Sequence, residues 1–234
     1  MRNRKAFVAA LTTGRTPTWE LVNLRQIHSD LIHLVNKPTK LTLAGDGMIT
    51  NTPGILLAVL TADCLPVIVV DPKKRAVGVF HAGWRGTLKR IVEKGVGEMR
   101  KHFGSDPAQL RAVIGPGIRN CCYQVGPEVR NAFEAQFAYS SELFRETKET
   151  DEIHEKYPLL FLTSRAPGHS ELPKQIFLDL AQANQRQLLA AGLKKKNVID
   201  LGLCTACNTE LFFSHRAENG KTGRMMAAVG IRSK

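Results

Sequence analysis

The chain has 234 residues, of which 43% are hydrophobic and 23% charged, proportions that are ordinary for a globular protein. No apolar run reaches the roughly 20 residues that a membrane-spanning helix needs, so no such helix is expected. The formal net charge of +12 is spread along the chain and only 6% of residues are aromatic, which favours a solvated basic surface suited to small anions over a nucleic-acid-binding face.

The first predicted element is a helix over residues 2–12, because its apolar residues fit one face: Phe7, Val8, Ala10 and Leu11. Basic residues before this short apolar patch superficially resemble a signal peptide, but a helix explains the pattern better. The five cysteines, an odd number, fit reduced thiols better than a disulfide framework. We therefore expect a cytoplasmic protein.

Short strands separated by turn residues follow the first helix. Residues 21–27 are predicted as a strand, Ser29-Asp30 has turn chemistry, and residues 31–35 are predicted as the return strand. A loop at Gly45-Asp46-Gly47 leads to another short strand over residues 48–50. This part of the chain therefore indicates β-structure before the centre.

The centre of the chain contains three apolar runs of strand length, over residues 55–60, 66–70 and 76–80. The last two are separated by a segment that begins with Asp71-Pro72, a pattern typical of a type I turn. Residues 66–80 are therefore predicted to form a β-hairpin.

A hairpin returns to the edge where it started, so Cys64 and His81 should lie near each other at its open end. The register decides whether they share a face. A two-residue turn at Pro72-Lys73 pairs them on one face, and a slip of one residue separates them.

The second half of the chain alternates helices and strands. We predict one amphipathic helix over residues 87–103 and another over residues 177–191, closed by Gly192 in a left-handed conformation. Residues 140–174 are polar and carry three prolines, so we interpret them as a variable excursion or lid. The other predicted elements are a turn from Asp106-Pro107, a strand over 111–114, a helix from Gly126 to about Ala138, and strands over 198–201 and 225–231. The fold class is α/β, a single domain over residues 1–234 with mixed β-sheet and flanking helices.

One set of side chains has the chemistry of a metal site: His28, Cys64 and His81 each follow a predicted strand. One thiolate and two imidazoles suit Zn²⁺ or Cu²⁺. Three protein ligands leave one coordination position for water or for substrate. The pKa of a water molecule bound there would fall to about 7. Two alternatives to a metal site remain open. In the first, Cys64 serves only as a small buried residue and the two histidines have no special role. In the second, Cys64 is a nucleophile that His81 activates without a metal.

The remaining cysteines give weaker signals. Cys204-x-x-Cys207 is a single pair, and packed thiols are as good an interpretation as a functional site. Cys121-Cys122 are adjacent and resemble neither a ligand pair nor a disulfide, so we interpret them as structural. Trp84 and Arg85 have two interpretations. They are a packed aromatic residue and a surface cation, or they line an anion-binding pocket.

Taken together, these motifs resemble the laccase-domain (multicopper polyphenol oxidase-like, YfiH-type) purine nucleoside phosphorylase family. The motifs cover nearly the whole chain, and the TADC segment followed by HAGWRG is the most specific of them. They are Gln26-x-His28-x-Asp30, Thr61-Ala62-Asp63-Cys64-x-Pro66, His81-Ala82-Gly83-Trp84-Arg85-Gly86, Ile114-Gly115-Pro116, Cys121-Cys122-Tyr123, Leu178-Asp179-Leu180, Cys204-Thr205-x-Cys207 and Phe213-Ser214-His215-Arg216.

The resemblance implies a mixed α/β domain in which a metal is held by His28, Cys64 and His81. It also implies phosphorolysis of adenosine, inosine and methylthioadenosine, and deamination of adenosine. Older interpretations of the family are copper-dependent polyphenol oxidation and a cysteine-hydrolase-like fold. The family pattern has an upstream strand with an Arg, a Gly-Gly turn and an Asn-Leu-Gly segment, and we expect this chain to start after them.

We therefore hypothesise a metal-dependent purine nucleoside enzyme whose catalytic residues are Cys64, His81 and Asp63, the last for proton transfer or for orienting a histidine ligand. Arg85 is expected to contact phosphate and Gln26 to contact substrate. The expected partners are a nucleoside and phosphate, and the expected assembly is a monomer or homodimer. The alternatives are a copper-dependent polyphenol oxidase, a non-catalytic nucleoside-binding protein and a basic nucleic-acid binder.

Overall fold

The structure is a computed structural model that describes residues 2–11, 19–37, 43–148 and 174–232. These residues form five α-helices and twelve strands. The helices are α1 (Arg2–Leu11), α2 (Trp84–Leu88), α3 (Ile91–Phe103), α4 (Pro127–Gln136) and α5 (Leu180–Ala190). The strands are β1 (Glu20–Asn23), β2 (Ile32–Leu34), β3 (Gly47–Thr50), β4 (Ile55–Thr61), β5 (Leu65–Asp71), β6 (Ala76–Ala82), β7 (Arg111–Ile114), β8 (Gln124–Val125), β9 (Phe144–Lys148), β10 (Lys174–Leu178), β11 (Val198–Asp200) and β12 (Met225–Gly230).

The largest sheet has six strands in the order β11-β7-β5-β6-β3-β2. Its centre is antiparallel, whereas β2 pairs parallel with β3 and β11 pairs parallel with β7. Every residue of β6 is buried, because helix α3 contacts it and strands β4 and β12 of another sheet also contact it. A strand covered on both faces has a continuous apolar sequence without alternation, which is what residues 76–80 show.

Two smaller sheets complete the mixed α/β fold expected from the sequence. One has the order β1-β4-β12, and the other has the order β8-β10-β9. Apolar residues of the first small sheet and of the large sheet share one buried cluster, which includes Leu57, Val59, Val77 and Val79. This cluster packs the two sheets against each other.

The central hairpin is confirmed, but its connection has four residues and not two. Leu65 pairs with Ala82 and Asp71 with Ala76. The Asp71 carboxylate accepts hydrogen bonds from the backbone N–H groups of Lys73 (2.9 Å) and Lys74 (3.0 Å), which stabilises the longer turn. The register is therefore shifted by two residues, and an even shift keeps residues 64 and 81 on the same face.

The predicted hairpin over residues 21–27 and 31–35 is wrong. Strand β1 pairs parallel with β4, whereas β2 pairs parallel with β3 in a different sheet. In the segment between them, the backbone N–H groups of Ile27, His28 and Ser29 donate hydrogen bonds to the carboxylate of Asp46. Turn residues alone did not reveal this long-range contact.

The predicted helix over 87–103 is two helices, α2 and α3. Arg90 separates them in a left-handed conformation with φ of 62°, which interrupts the helical hydrogen-bond pattern. The predicted helix over 177–191 starts late, because residues 174–178 form β10. Asp179 caps α5 by accepting a hydrogen bond from the Gln182 N–H at 2.9 Å.

Several other predicted elements are confirmed, including the left-handed Gly192 (φ 102°), the turn at Pro107–Gln109 and the strands β7, β11 and β12. The first residues of the predicted lid form regular structure, with a 3₁₀ turn at Ser140–Leu143 followed by β9, which pairs with β10. Residues 149–173 of that prediction lie outside the described residues. Among the described residues, no helix combines the length and apolar character needed to cross a membrane.

Candidate metal centre

Three distant segments bring His28, Cys64 and His81 together. His28 lies in the loop after β1, Cys64 lies between β4 and β5, and His81 lies within β6. Their ligand atoms all lie within 4.8 Å of one another, and the two imidazole rings are 5.0 Å apart between centroids. His28 is exposed and His81 is buried, so the group opens to solvent on the side of His28.

Cys64 is a half-buried free thiol whose environment favours the thiolate. Burial raises its pKa, but hydrogen bonds from His28 and His81 outweigh that effect and lower the pKa to about 7. Such a thiol is ready to bind a metal or to act as a nucleophile near neutral pH.

Asp46 orients His81, and sequence reasoning missed it. Oδ1 of the fully buried Asp46 lies 2.8 Å from Nδ1 of His81. Burial lowers the pKa of His81, but the hydrogen bonds to Asp46 and Cys64 outweigh it and raise the pKa to about 9. With Nδ1 bound to a carboxylate, Nε2 is the nitrogen left for a metal. The sequence showed only an acid between two loop glycines, which gives no hint of this contact.

The same carboxylate also fixes the loop of His28. Oδ1 of Asp46 accepts the His28 backbone N–H at 3.0 Å, and Oδ2 accepts the Ser29 N–H at 2.6 Å and its hydroxyl at 2.7 Å. One buried side chain therefore positions two of the three candidate ligands.

Asp63 does not orient a histidine in this structure, so that part of the expectation is corrected. Its Oδ1 accepts the hydroxyls of Thr205 and Ser214, each at 2.7 Å, and its Oδ2 accepts the Arg216 N–H at 2.7 Å. These contacts hold the backbone just before Cys64 against the loop that follows β11.

Gln26 and Arg85 lie in different surroundings. Both ends of the Gln26 amide bind the Leu60 backbone, each at 2.8 Å, so the amide holds its own loop against β4. Arg85 is exposed, and its guanidinium lies 4.3 Å from the centre of the Trp84 ring. Contacts of either side chain with substrate stay predictions.

Tyr123 interacts electrostatically with Cys64 and with nearby arginines. The sequence indicated it only as part of the Cys121-Cys122-Tyr123 motif. Burial raises the pKa of its hydroxyl, and so does the charge of Cys64, whereas Arg216 and Arg85 lower it. Arg216 also lies over the Tyr123 ring, 5.5 Å from its centre. Two arginines therefore lie within electrostatic reach of one hydroxyl beside the candidate ligands.

A family model described as "Multi-copper polyphenol oxidoreductase laccase" matches residues 1–232. The chain belongs to this family. The purine nucleoside phosphorylase YlmD of Bacillus subtilis is 35% identical over 189 residues, which are 81% of this chain and 59% of that protein. The adenosine deaminase RL5, from an unknown prokaryotic organism, is 30% identical over 90% of this chain and 74% of its own length.

A solved structure agrees with the fold. The crystal structure of the Bacillus licheniformis hypothetical protein YfiH matches with a TM-score of 0.80 at 33% identity, covering 98% of this chain and 80% of that one. The chain spans about six tenths of the length of the first curated relatives that it matches.

The family description implies a metal, and the local shape fits one. The donor set is one sulfur and two imidazole nitrogens, which suits Zn²⁺ or copper. Gly83 keeps the space around these donors open, because a Cβ there would lie 2.8 Å from Sγ of Cys64 and 3.4 Å from Cδ2 of His28.

The four other cysteines also lie together, as a second group outside this centre. The Sγ atoms of Cys121, Cys122, Cys204 and Cys207 are all within 4.8 Å of one another. The fold therefore places Cys121 and Cys122, which the sequence interpretation treats as structural, beside the C-x-x-C pair.

Proposed function

We propose that this chain is a metal-dependent purine nucleoside enzyme, which cleaves adenosine, inosine and methylthioadenosine with phosphate and deaminates adenosine. The observation that carries the proposal is the convergence of His28, Cys64 and His81 with a buried carboxylate behind His81. The similarity to a purine nucleoside phosphorylase and to an adenosine deaminase supports the choice of substrate class.

His28, Cys64 and His81 would hold Zn²⁺ or Cu²⁺. When bound, such an ion supplies Lewis acidity, which polarises an oxygen and lowers the pKa of water. The Asp46 carboxylate keeps the Nδ1 proton of His81 in place and thereby holds Nε2 towards the other ligands. Gln26 keeps the His28 loop against β4 through the Leu60 backbone.

The phosphate would be bound by Arg85 and Arg216, both of which lie within electrostatic reach of Tyr123. In phosphorolysis a phosphate oxygen attacks the anomeric carbon while the glycosidic bond breaks and the purine leaves with the bonding electrons. Two guanidinium groups stabilise the phosphate charge and hold the anion near the sugar. The net charge of +12 also raises the local concentration of anions.

In deamination, water adds to C6 of adenine and ammonia leaves. Asp63 is the proposed proton carrier for this step, next in sequence to Cys64. Asp63 is 8% exposed and its carboxylate accepts three hydrogen bonds, so substrate binding has to open a path to it. His81 takes part as the ligand that the Asp46 carboxylate orients.

Copper-dependent polyphenol oxidation is the second candidate, supported by the family description. Multicopper oxidation needs several coppers with histidine ligands, and the chain has seven histidines in all. Among the described residues, the two candidate metal groups contain only His28 and His81 as histidines. The nucleoside reaction therefore suits the site better, and oxygen uptake with a phenol after copper loading would favour the alternative.

The test is to incubate the metal-loaded protein with adenosine and phosphate and to separate the products by chromatography. Adenine with ribose 1-phosphate reports phosphorolysis, and inosine with ammonia reports deamination. His28→Ala should abolish both reactions, whereas His102→Ala, which changes an exposed histidine on α3 that contacts Glu98, should keep them. No product from the wild type contradicts the proposal, and tight nucleoside binding without turnover would identify a binding protein.

A single domain over residues 1–234, a monomer or homodimer and a cytoplasmic location complete the proposal. Light scattering of the purified chain measures the assembly. A mass above that of a dimer would contradict this part.

A further inference from the structure

The four cysteines outside the candidate metal centre come from two loops that the fold brings together. Cys121 and Cys122 lie in the turn before β8, and Cys204 and Cys207 lie in the loop after β11. The Cys207 sulfur is 3.5 Å from that of Cys121 and 3.3 Å from that of Cys122. Every cysteine of the chain other than Cys64 belongs to this group.

The two loops are joined by contacts that do not involve sulfur. Gly117 and Cys204 form a parallel β-bridge, in which the Gly117 N–H donates to the Leu203 carbonyl and the Thr205 N–H donates to the Gly117 carbonyl. Arg119 forms an ion pair with Asp200, with Nη1 and Oδ1 2.9 Å apart. The backbone therefore holds the thiols in position, which reduces the cost of ordering a ligand shell.

We propose that Cys121, Cys122, Cys204 and Cys207 bind a Zn²⁺ ion as four thiolate ligands. Zinc–sulfur bonds of about 2.3 Å in a tetrahedron put neighbouring sulfurs about 3.8 Å apart. The observed separations start at 3.3 Å and stay within 4.8 Å, so they need only small adjustments. Four soft anionic donors in this shape select zinc over the hard cations. The site goes beyond the proposed nucleoside chemistry, which uses none of these residues.

The zinc site is structural and lies behind the candidate metal centre. Thr205, between Cys204 and Cys207, donates its hydroxyl to Asp63, and the same loop continues to Ser214 and Arg216, which bind the same carboxylate. Asp63 precedes Cys64 and has an unfavourable φ of 84°. An ion that fixes the loop after β11 therefore also fixes the backbone that presents Cys64.

The test uses the full chain carrying His28→Ala and Cys64→Ser, which leaves only the four-thiol group. After loading with zinc chloride and dialysis, mass spectrometry should find about one zinc per chain, and X-ray absorption should find four sulfurs at about 2.3 Å. Adding Cys207→Ser should remove the ion. The matched control Ala206→Ser changes the same loop without a ligand and should keep it.

Three results would overturn the zinc assignment: no zinc in the double variant, nitrogen or oxygen neighbours around the ion, or a disulfide joining Cys207 to Cys121 or Cys122 in protein purified under reducing conditions. In the wild type, X-ray absorption averages this site with the His28, Cys64 and His81 centre, so sulfur together with nitrogen is expected there, and the double variant isolates the four-sulfur count. Backbone amide exchange at residues 61–65 should be faster in Cys207→Ser than in Ala206→Ser, and equal rates would overturn the link to Cys64.

Discussion

At the scale of single residues, two strained backbone positions lie at the candidate metal centre. His28 has φ of 57° and Asp63, next to Cys64, has φ of 84°. Left-handed conformations of residues other than glycine cost about 1–3 kcal/mol each and persist only where surrounding contacts hold them. Here two carboxylates supply those contacts, Asp46 for His28 and the Asp63 side chain for its own segment. The shape of the site therefore depends on two buried acids, Asp46 and Asp63.

Asp46→Asn should weaken metal binding about 10–100-fold, because a neutral amide is a weaker acceptor for the His81 Nδ1–H than a carboxylate, so it orients the ring less firmly and makes Nε2 a less basic ligand. The affinity is measured by competition with a chromophoric chelator. Asp71→Asn is the matched control, since Asp71 is also buried but binds only the turn at the far end of the hairpin. Equal affinities for the two variants would show that Asp46 has no part in holding the ion.

Cys64 in metal-free protein should react with iodoacetamide with a midpoint near pH 7, below its ordinary pKa of 9.0. The shift has this sign because hydrogen bonds from the two histidines stabilise the thiolate more than burial destabilises it. Peptide mapping separates Cys64 from the other cysteines, and the chain unfolded in urea is the control. A midpoint at or above the unfolded value contradicts the prediction, and adding Zn²⁺ should protect the thiol.

At the scale of elements, the start of α2 and the connection from β4 to β5 meet at Gly83. Gly83→Ala should lower metal affinity at least tenfold, because the new Cβ would lie 2.8 Å from the Cys64 sulfur. Gly97→Ala is the control, because a Cβ at that exposed position on α3 meets nothing within 4 Å. The control should bind metal normally and gain up to about 1 kcal/mol of unfolding free energy. Normal metal content in Gly83→Ala would contradict the packing argument.

At the scale of the whole molecule, the sequence predicted what local rules determine. The hairpin of β5 and β6 followed from two apolar runs and a turn signal, and the proximity of Cys64 and His81 followed from the hairpin. The hydrogen bond of Asp46 to His81 and the proximity of the Cys121 and Cys207 sulfurs both join segments that are distant in sequence. Hydrophobic periodicity carries no information about such contacts. The break at Arg90 was missed because no residue preference places arginine in a left-handed conformation.

The stability of the metal-free protein depends on two opposite pKa shifts. The pKa of His81 is raised to about 9, so its contribution is full below its unfolded value of 6.5 and is lost as pH rises through 9. The pKa of Cys64 is lowered to about 7, so its contribution is full above 9.0 and is lost as pH falls through 7. Between pH 7 and 9 the folded pair holds one proton, on His81, and the unfolded pair holds one, on Cys64. The two pH dependences therefore cancel.

Cys64→Ser should expose the dependence that this cancellation hides. With no thiol to titrate, only the Asp46-bound His81 remains, so unfolding free energy should fall as pH rises above 6.5, by up to about 1.4 kcal/mol per pH unit until His81 loses its proton. Urea unfolding of metal-free wild type and metal-free Cys64→Ser at a series of pH values measures the difference in their unfolding free energies. The contributions of the other titrating groups cancel in this difference. If both proteins give parallel curves, the proton resides elsewhere and the thiolate–imidazolium pair does not form. A widening gap would establish that the folded chain itself prepares Cys64 as a ligand before any ion arrives.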